Sequence, residues 1–130
     1  MSGGSSLGRE VESLLALGGR AGAADRVRIG GQVAEGLSVS LLRLRATLRS
    51  LDGQDPGAQS SVEKLVGVRH RQDVAETALD LLGPDGAAAD GAAAEASHEF
   101  LLSRCLSIAG GTTQILRTVA AERVLGLPRS

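Results

Sequence analysis

One phenylalanine, Phe100, and no tyrosine or tryptophan in 130 residues leave few ways to build an interior. Any core has to come from leucine, valine, isoleucine and alanine. Sheets draw on aromatic and β-branched side chains, whereas alanine and leucine head the helix scale. The chain is therefore expected to be all-α. Its apolar fraction of 42% and charged fraction of 22% belong to a folded domain and not to a disordered tail. The length suits a single domain, residues 1–130.

Hydrophobic spacing places the helices. Leu37, Leu41, Leu44, Leu48 and Leu51 advance by alternating steps of four and three, which predicts one buried helical stripe. This helix is expected to start near Asp25 or Arg26 and to stop before the turn-forming segment 52–57 (DGQDPG). Gly30, Gly31 and Gly36 in its first half imply either close packing or fraying, since each costs about 1 kcal/mol relative to alanine. Ser60 and Glu63 have the spacing of a capping box. They head a second stripe of Val62, Leu65, Val68, Ala75, Leu79 and Leu82, with Gln72 in the missing place and Gly83 and Pro84 at its end. A short loop between two long helices makes them antiparallel neighbours.

Shorter elements flank this pair. A helix is expected over 7–17, closed by Gly18 and Gly19, and the stretch 83–96 (GPDGAAADGAAAEA) reads as a loop interrupted by Gly86 and Gly91. A helix over 97–108 has Leu101, Cys105 and Ile108 on one face. A last helix over 113–125, after Gly110 and Gly111, turns Ile115, Val119 and Val124 inward. The sum is an up-and-down four-helix bundle with one additional short helix.

Several function classes are disfavoured. Fourteen Lys+Arg against fifteen Asp+Glu give a net charge of −1, without the basic excess of a protein that neutralises a nucleic-acid backbone. No apolar run approaches the ~18–20 residues that cross a bilayer. The first ten residues, MSGGSSLGRE, have no apolar signal-peptide region. With the single cysteine, Cys105, this makes a cytoplasmic setting the expectation. His98 and Glu99 open like a zinc HExxH motif, but Leu102 stands where the second histidine belongs. His70 reads as a solvated side chain and Cys105 as a small core residue. Arg43, Arg45 and Arg49, between the leucines, suit a wet bundle face or an anionic membrane surface.

The segment 108–129 (IAGGTTQILRTVAAERVLGLPR) is a double-glycine break feeding a helix with threonine at its N-cap. The exposed amides of such a start can hold an anion; alternatively, Thr112 only caps its own helix. The segment resembles the C-terminal signature of the acyl-CoA dehydrogenase family, in which a Gly-Thr-x-Gln-Ile core leads a helix ending in an AERVLGLPR-like tail. Residues 78–86 (ALDLLGPDG) are similar to the family segment that ends a preceding helix in a glycine-rich turn.

The resemblance implies the C-terminal helical domain of a FAD flavoenzyme that oxidises acyl-CoA thioesters to 2,3-enoyl-CoA. A base removes the α-proton while FAD takes hydride from the β-carbon. Family members also carry an N-terminal helical domain and a middle β-domain, and they assemble as oligomers. By resemblance Thr112, Thr113, Gln114 and Gly83 contact FAD, and Gly111 faces the acyl-CoA. The implied partner is a second copy or a flavoprotein subunit. Three departures stand out. Gly110 occupies the place where many members carry the catalytic glutamate, so no catalytic residue is assigned. Residues 18–28 (GGRAGAADRVR) replace an Arg-x-x-Phe-Gly motif that reaches a neighbouring flavin. Asp80 and Pro84 replace a glutamine and a glycine in the glycine-rich turn. The chain by itself is expected to be inert. The alternative is a non-catalytic helical assembly module derived from the same family.

Overall fold

The computed structural model describes residues 8–55, 57–88 and 90–129, and these contain helices and turns but no strand. The helices are α1 (Arg9–Ala16), α2 (Ala23–Leu51), α3 (Gln59–Leu82), α4 (Gly91–Cys105) and α5 (Thr113–Val119). A π-helical turn, Ala120–Val124, prolongs α5. Tight 3-10 turns at Gly18–Arg20 and Gly83–Ala87 follow α1 and α3. The all-α bundle expected from the composition is the fold observed.

The bundle is organised around α3, which packs against α1, α2, α4 and α5. It is therefore buried on more than one side, through Gly67, His70, Val74, Ala75, Thr77 and Leu82 among others. One core cluster joins Val11 and Leu14 of α1 to Ala21, Ile29 and Val74. The other sets Ala93 and Ala96 of α4 against Leu82, with Leu17 and Leu79 beside them. Small side chains on α4 let the two helices approach closely, which dense interior packing requires.

The alanine-rich stretch is helix and not loop. α4 begins at Gly91, because alanine is the best helix former and its small side chains fit the surface of α3. The expected capping box does not form. α3 starts at Gln59 with Ala58 at its N-cap, so Ser60 lies inside the first turn and its hydroxyl donates to Gly57 O at 2.8 Å. Glu63 instead accepts from Arg43 Nε at 3.1 Å.

The leucine stripe of α2 is exposed. Leu37, Leu41, Leu44, Leu48 and Leu51 retain 42%, 66%, 53%, 53% and 77% of their surface. The face that α2 turns inward carries Ile29, Gln32, Gly36 and Val39. Its C-terminal half meets α3 through the Arg43–Glu63 pair and a hydrogen bond from Arg49 to Gln59. Periodicity locates an apolar face; it does not say which neighbour covers it. The same correction applies further along. Leu101, Ile108, Ile115 and Val124 are exposed, as is Cys105, while α4 buries Ala93, Ala96 and Ser103.

His70 is buried, not solvated. Its Nδ1 lies 3.4 Å from Glu35 Oε2 of α2, and its ring sits over Gly36, where an added Cβ would stand 3.2 Å from Nε2 and 3.4 Å from Val11 Cγ2. Gly36 thus answers to close packing, whereas Gly30 and Gly31 face open space.

Candidate functional site

After α4 the chain turns back through Gly110 and Gly111, whose φ angles of +65° and +111° are conformations that side chains with a Cβ rarely adopt. Extended Thr112 then caps α5. Its hydroxyl accepts from Ile115 N at 3.3 Å and its carbonyl from Leu116 N at 3.0 Å. The Thr113 amide is tied to Ser107 O at 3.1 Å. Gln114 is exposed, and its carboxamide has no hydrogen-bond partner among the described residues.

This turn is fastened from the side by α3. The Lys64 ammonium donates to Ala109 O and, at 3.3 Å, to Gly111 O. A Cβ built on Gly110 would stand 3.2 Å from Lys64 Nζ. Any side chain placed at Gly110 therefore starts beside a positive charge. Sequence reasoning missed this fastening, although Lys64 is the chain's sole lysine among thirteen arginines, and that singularity was the available signal. The reason for lysine is physical: its compact ammonium can point at several carbonyls, while a guanidinium needs a planar arrangement of acceptors.

Beside the turn opens a cleft of about 610 Å³ with Lys64, Gly67, Arg71, Leu106, Gly110 and Leu116 in its walls. Arg71 is fixed to Glu99 by two parallel bonds of 3.2 Å, Nε to Oε2 and Nη2 to Oε1, with Nη2 also 2.9 Å from Oε2, and by Glu10 of α1 at 3.5 Å. This double anchoring ties α3 to α4 and α1 at once. Glu99 therefore serves an ion pair, and among the described residues no cluster of His, Cys, Asp or Glu could hold a metal. Among the described residues no helix is long and apolar enough to cross a membrane.

The sequence-predicted site residues fall in two places. Gly111, Thr112, Thr113 and Gln114 form one continuous turn. Gly83 caps the far end of α3 with φ of +55°. Nineteen residues of helix separate it from Lys64, about 28 Å at 1.5 Å per residue. Asp80, near the C-terminal end of α3, accepts from Arg28 Nη1 at 2.7 Å, and Asp85, in the turn that follows, from Arg20 Nη1 at 3.0 Å. The acids at this end thus hold α2 and its approach onto α3.

A helical bundle whose last helix starts from a stapled Gly-Gly-Thr turn is one class of domain. Residues 26–125 match the family model described as acyl-CoA dehydrogenase, C-terminal domain. The chain belongs to the acyl-CoA dehydrogenase family and corresponds to this C-terminal domain. It is 45% identical over 131 aligned residues to acyl-CoA dehydrogenase FadE34 of Mycobacterium tuberculosis, covering 99% of this chain and 18% of that protein. It is 34% identical to acyl-CoA dehydrogenase IpdE1 of Mycolicibacterium smegmatis over 122 residues, covering 93% of this chain and 31% of that relative. The Mycobacterium tuberculosis IpdE1 is also 34% identical, with 93% and 32% covered. The chain thus spans 18% to 32% of these relatives' lengths. No solved structure matches.

The residues at the turn suit part of a flavin site. Gly110 and Gly111 keep the backbone bare, and Gln114 offers an unshared amide donor and acceptor. These uncharged groups fit the polar edge of a flavin.

Proposed function

We propose that this chain is the C-terminal portion of a FAD-dependent acyl-CoA dehydrogenase, acting in the α,β-dehydrogenation of acyl-CoA thioesters. The stapled turn 109–114 is the observation that carries the reading. It joins the family's Gly-Thr-x-Gln-Ile pattern to a backbone geometry held independently by Lys64, and it leaves Gln114 free to bond a ligand. Bound FAD would supply the hydride acceptor. Thr112, Thr113 and Gln114 would line one flavin contact and Gly111 the acyl-CoA side. Gly83, some 28 Å away along α3, would serve a separate contact, such as the flavin of a neighbouring subunit. Gly110 can neither take nor give a proton, so the base must come from another position.

The isolated chain is inert on this reading, because the bundle offers one wall of a cleft and the relatives are at least three times longer. The test has two arms. Purified alone, the chain is expected to show no flavin absorbance and no acyl-CoA-dependent dye reduction. Joined to, or co-expressed with, the N-terminal and β-domain portions of a family member, it should acquire a yellow flavin spectrum that Gln114→Ala weakens. Turnover by the isolated chain overturns inertness; a completed protein that stays colourless overturns the flavoenzyme reading.

A second reading, an assembly module of the same ancestry, is favoured by one specific observation: the exposed leucines of α2.

A further inference from the structure

We propose that the cleft beside the Gly-Gly turn binds a phosphate group, free or as a phosphomonoester, through Lys64, Arg43 and Ser61. The flavin reading gives none of these three side chains a ligand, so the site goes beyond it.

Uncompensated charge is the first argument. Lys64 enters no ion pair among the described residues; its ammonium is answered only by the carbonyls of Ala109 and Gly111. Carbonyl dipoles leave the full unit of charge in place, and one of the three ammonium donors is unused. In a partly sheltered cleft an anion within reach of that charge gains several times what it would in water. Arg43 approaches from α2. Its Nε is spent on Glu63, while Nη1 and Nη2 have no partner among the described residues. Nη2 lies over Gly67, 3.4 Å from where a Cβ would stand, so the floor between the two cations is bare.

Ser61 is the second and independent argument. It keeps only 8% of its surface and lines the same cleft, yet its hydroxyl has no hydrogen-bond partner among the described residues. Ser60, Ser103 and Ser107 all donate to main-chain carbonyls. Buried polar side chains nearly always find a partner, and an idle donor opening on a cleft with a free cation points to a ligand. Ser61, Lys64 and Gly67 follow one another in steps of three, so they share a face of α3 and span about 9 Å of its axis.

Donor chemistry selects the ligand. A hydroxyl, an ammonium and the tip of a guanidinium, drawn from two helices, suit a tetrahedral oxyanion. A planar carboxylate pairs best with an open guanidinium fork, and the Nε side of Arg43 is already taken by Glu63. The wall carries Arg43, Lys64 and Arg71 against one carboxylate, Glu63; the acids that answer Arg71, Glu10 and Glu99, line the neighbouring groove. A volume of about 610 Å³ accepts a small molecule attached to the phosphate. The far field agrees. Residues 41–51 hold three arginines and no acid, whereas residues 73–95, toward the other end of α3, hold six acids and no cation. Anions are therefore steered to the cleft end of the bundle.

Calorimetric titration of the full chain with inorganic phosphate, at constant ionic strength set with chloride, tests the site. Binding is expected with a Kd at or below about 1 mM. Lys64→Met should abolish it. That change also loosens the turn, so two milder variants carry the test: Arg43→Gln should weaken binding ~10-fold and Ser61→Ala about 5-fold, with helical circular dichroism unchanged. Arg26→Gln, at the opposite end of α2, should have no effect. Two sources share this chemistry, the free ion and a nucleotide phosphomonoester such as that of coenzyme A. Coenzyme A binding more tightly than dephospho-coenzyme A supports the ester; equal binding of the two, with inorganic phosphate still bound, supports the free ion. No phosphate binding up to about 20 mM, or binding that Arg26→Gln weakens as much as Arg43→Gln, overturns the site. Neither result bears on the flavin reading, which the colour of the completed protein tests.

Discussion

Gly110→Ala probes the turn that faces the cleft, and the structure sets its size. At φ of +65° any residue with a Cβ bears about 1–2 kcal/mol of left-handed strain. The new methyl would also stand 3.2 Å from Lys64 Nζ, so the ammonium must shift away from carbonyls it now bonds. A hydrogen bond to a charged donor is worth about 1.5–3 kcal/mol, and a flexible side chain retains much of that, so roughly 1 kcal/mol is lost here. The total is about 2–3 kcal/mol. With a urea m-value near 1.5 kcal/mol/M for a domain of this size, the midpoint should fall by about 1.5 M. The same substitution in a Lys64→Met background should cost only the backbone strain, giving a coupling of about 1 kcal/mol between the two positions. Gly110→Glu should be less harmful than Gly110→Ala, since its carboxylate can pair with Lys64. Equal costs in the two backgrounds, or a Gly110→Ala cost below about 0.5 kcal/mol, would refute the stapled-turn argument.

Two other substitutions give independent checks. Gly36→Ala and Gly30→Ala sit on the same helix and should differ in sign. The first meets His70 and Val11 and should lose about 1 kcal/mol after its helix propensity is credited; the second faces open space and should gain up to about 1 kcal/mol. Denaturant midpoints measure both, and a stabilising Gly36→Ala would mean that the helices part more readily than their packing suggests. Thr112→Val removes the hydroxyl that accepts from Ile115 N and should cost about 1 kcal/mol. Its signature is faster amide exchange at Ile115, and an unchanged rate there would contradict the cap.

The fold class was legible because a chain without aromatic bulk has few alternatives to helices, and helix α2 was legible from its leucines. Burial was harder. The leucines that announce α2 point away from α3, while the face that meets it carries Gln32, Gly36 and Val39, a set with no strong apolar period. Gln32 is read only in three dimensions: its Nε2 donates to Asp73 O at 3.0 Å and Thr77 Oγ1 at 2.8 Å. His70 was misread for the same reason, since the polar neighbours that suggested solvent include the arginine that anchors α3 to Glu99. The alanine run was judged by its glycines, although alanine propensity and the need for a thin helix against Leu82 decided it. At the candidate site, local sequence was sufficient for the turn and its threonine cap. Lys64 was out of reach because it lies 45 residues from the carbonyl of Ala109, and only folding brings them together.

The solitary lysine has a practical corollary. Apart from the chain's N-terminus, Lys64 carries the sole primary amine in this polypeptide, and that amine is committed to main-chain carbonyls of the Gly-Gly turn. An acylating reagent aimed at amines therefore reports on one location. Slow modification marks a latched turn, and acceleration marks its release, so a single mass-spectrometric peak can follow the opening of this corner of the molecule without any label being engineered.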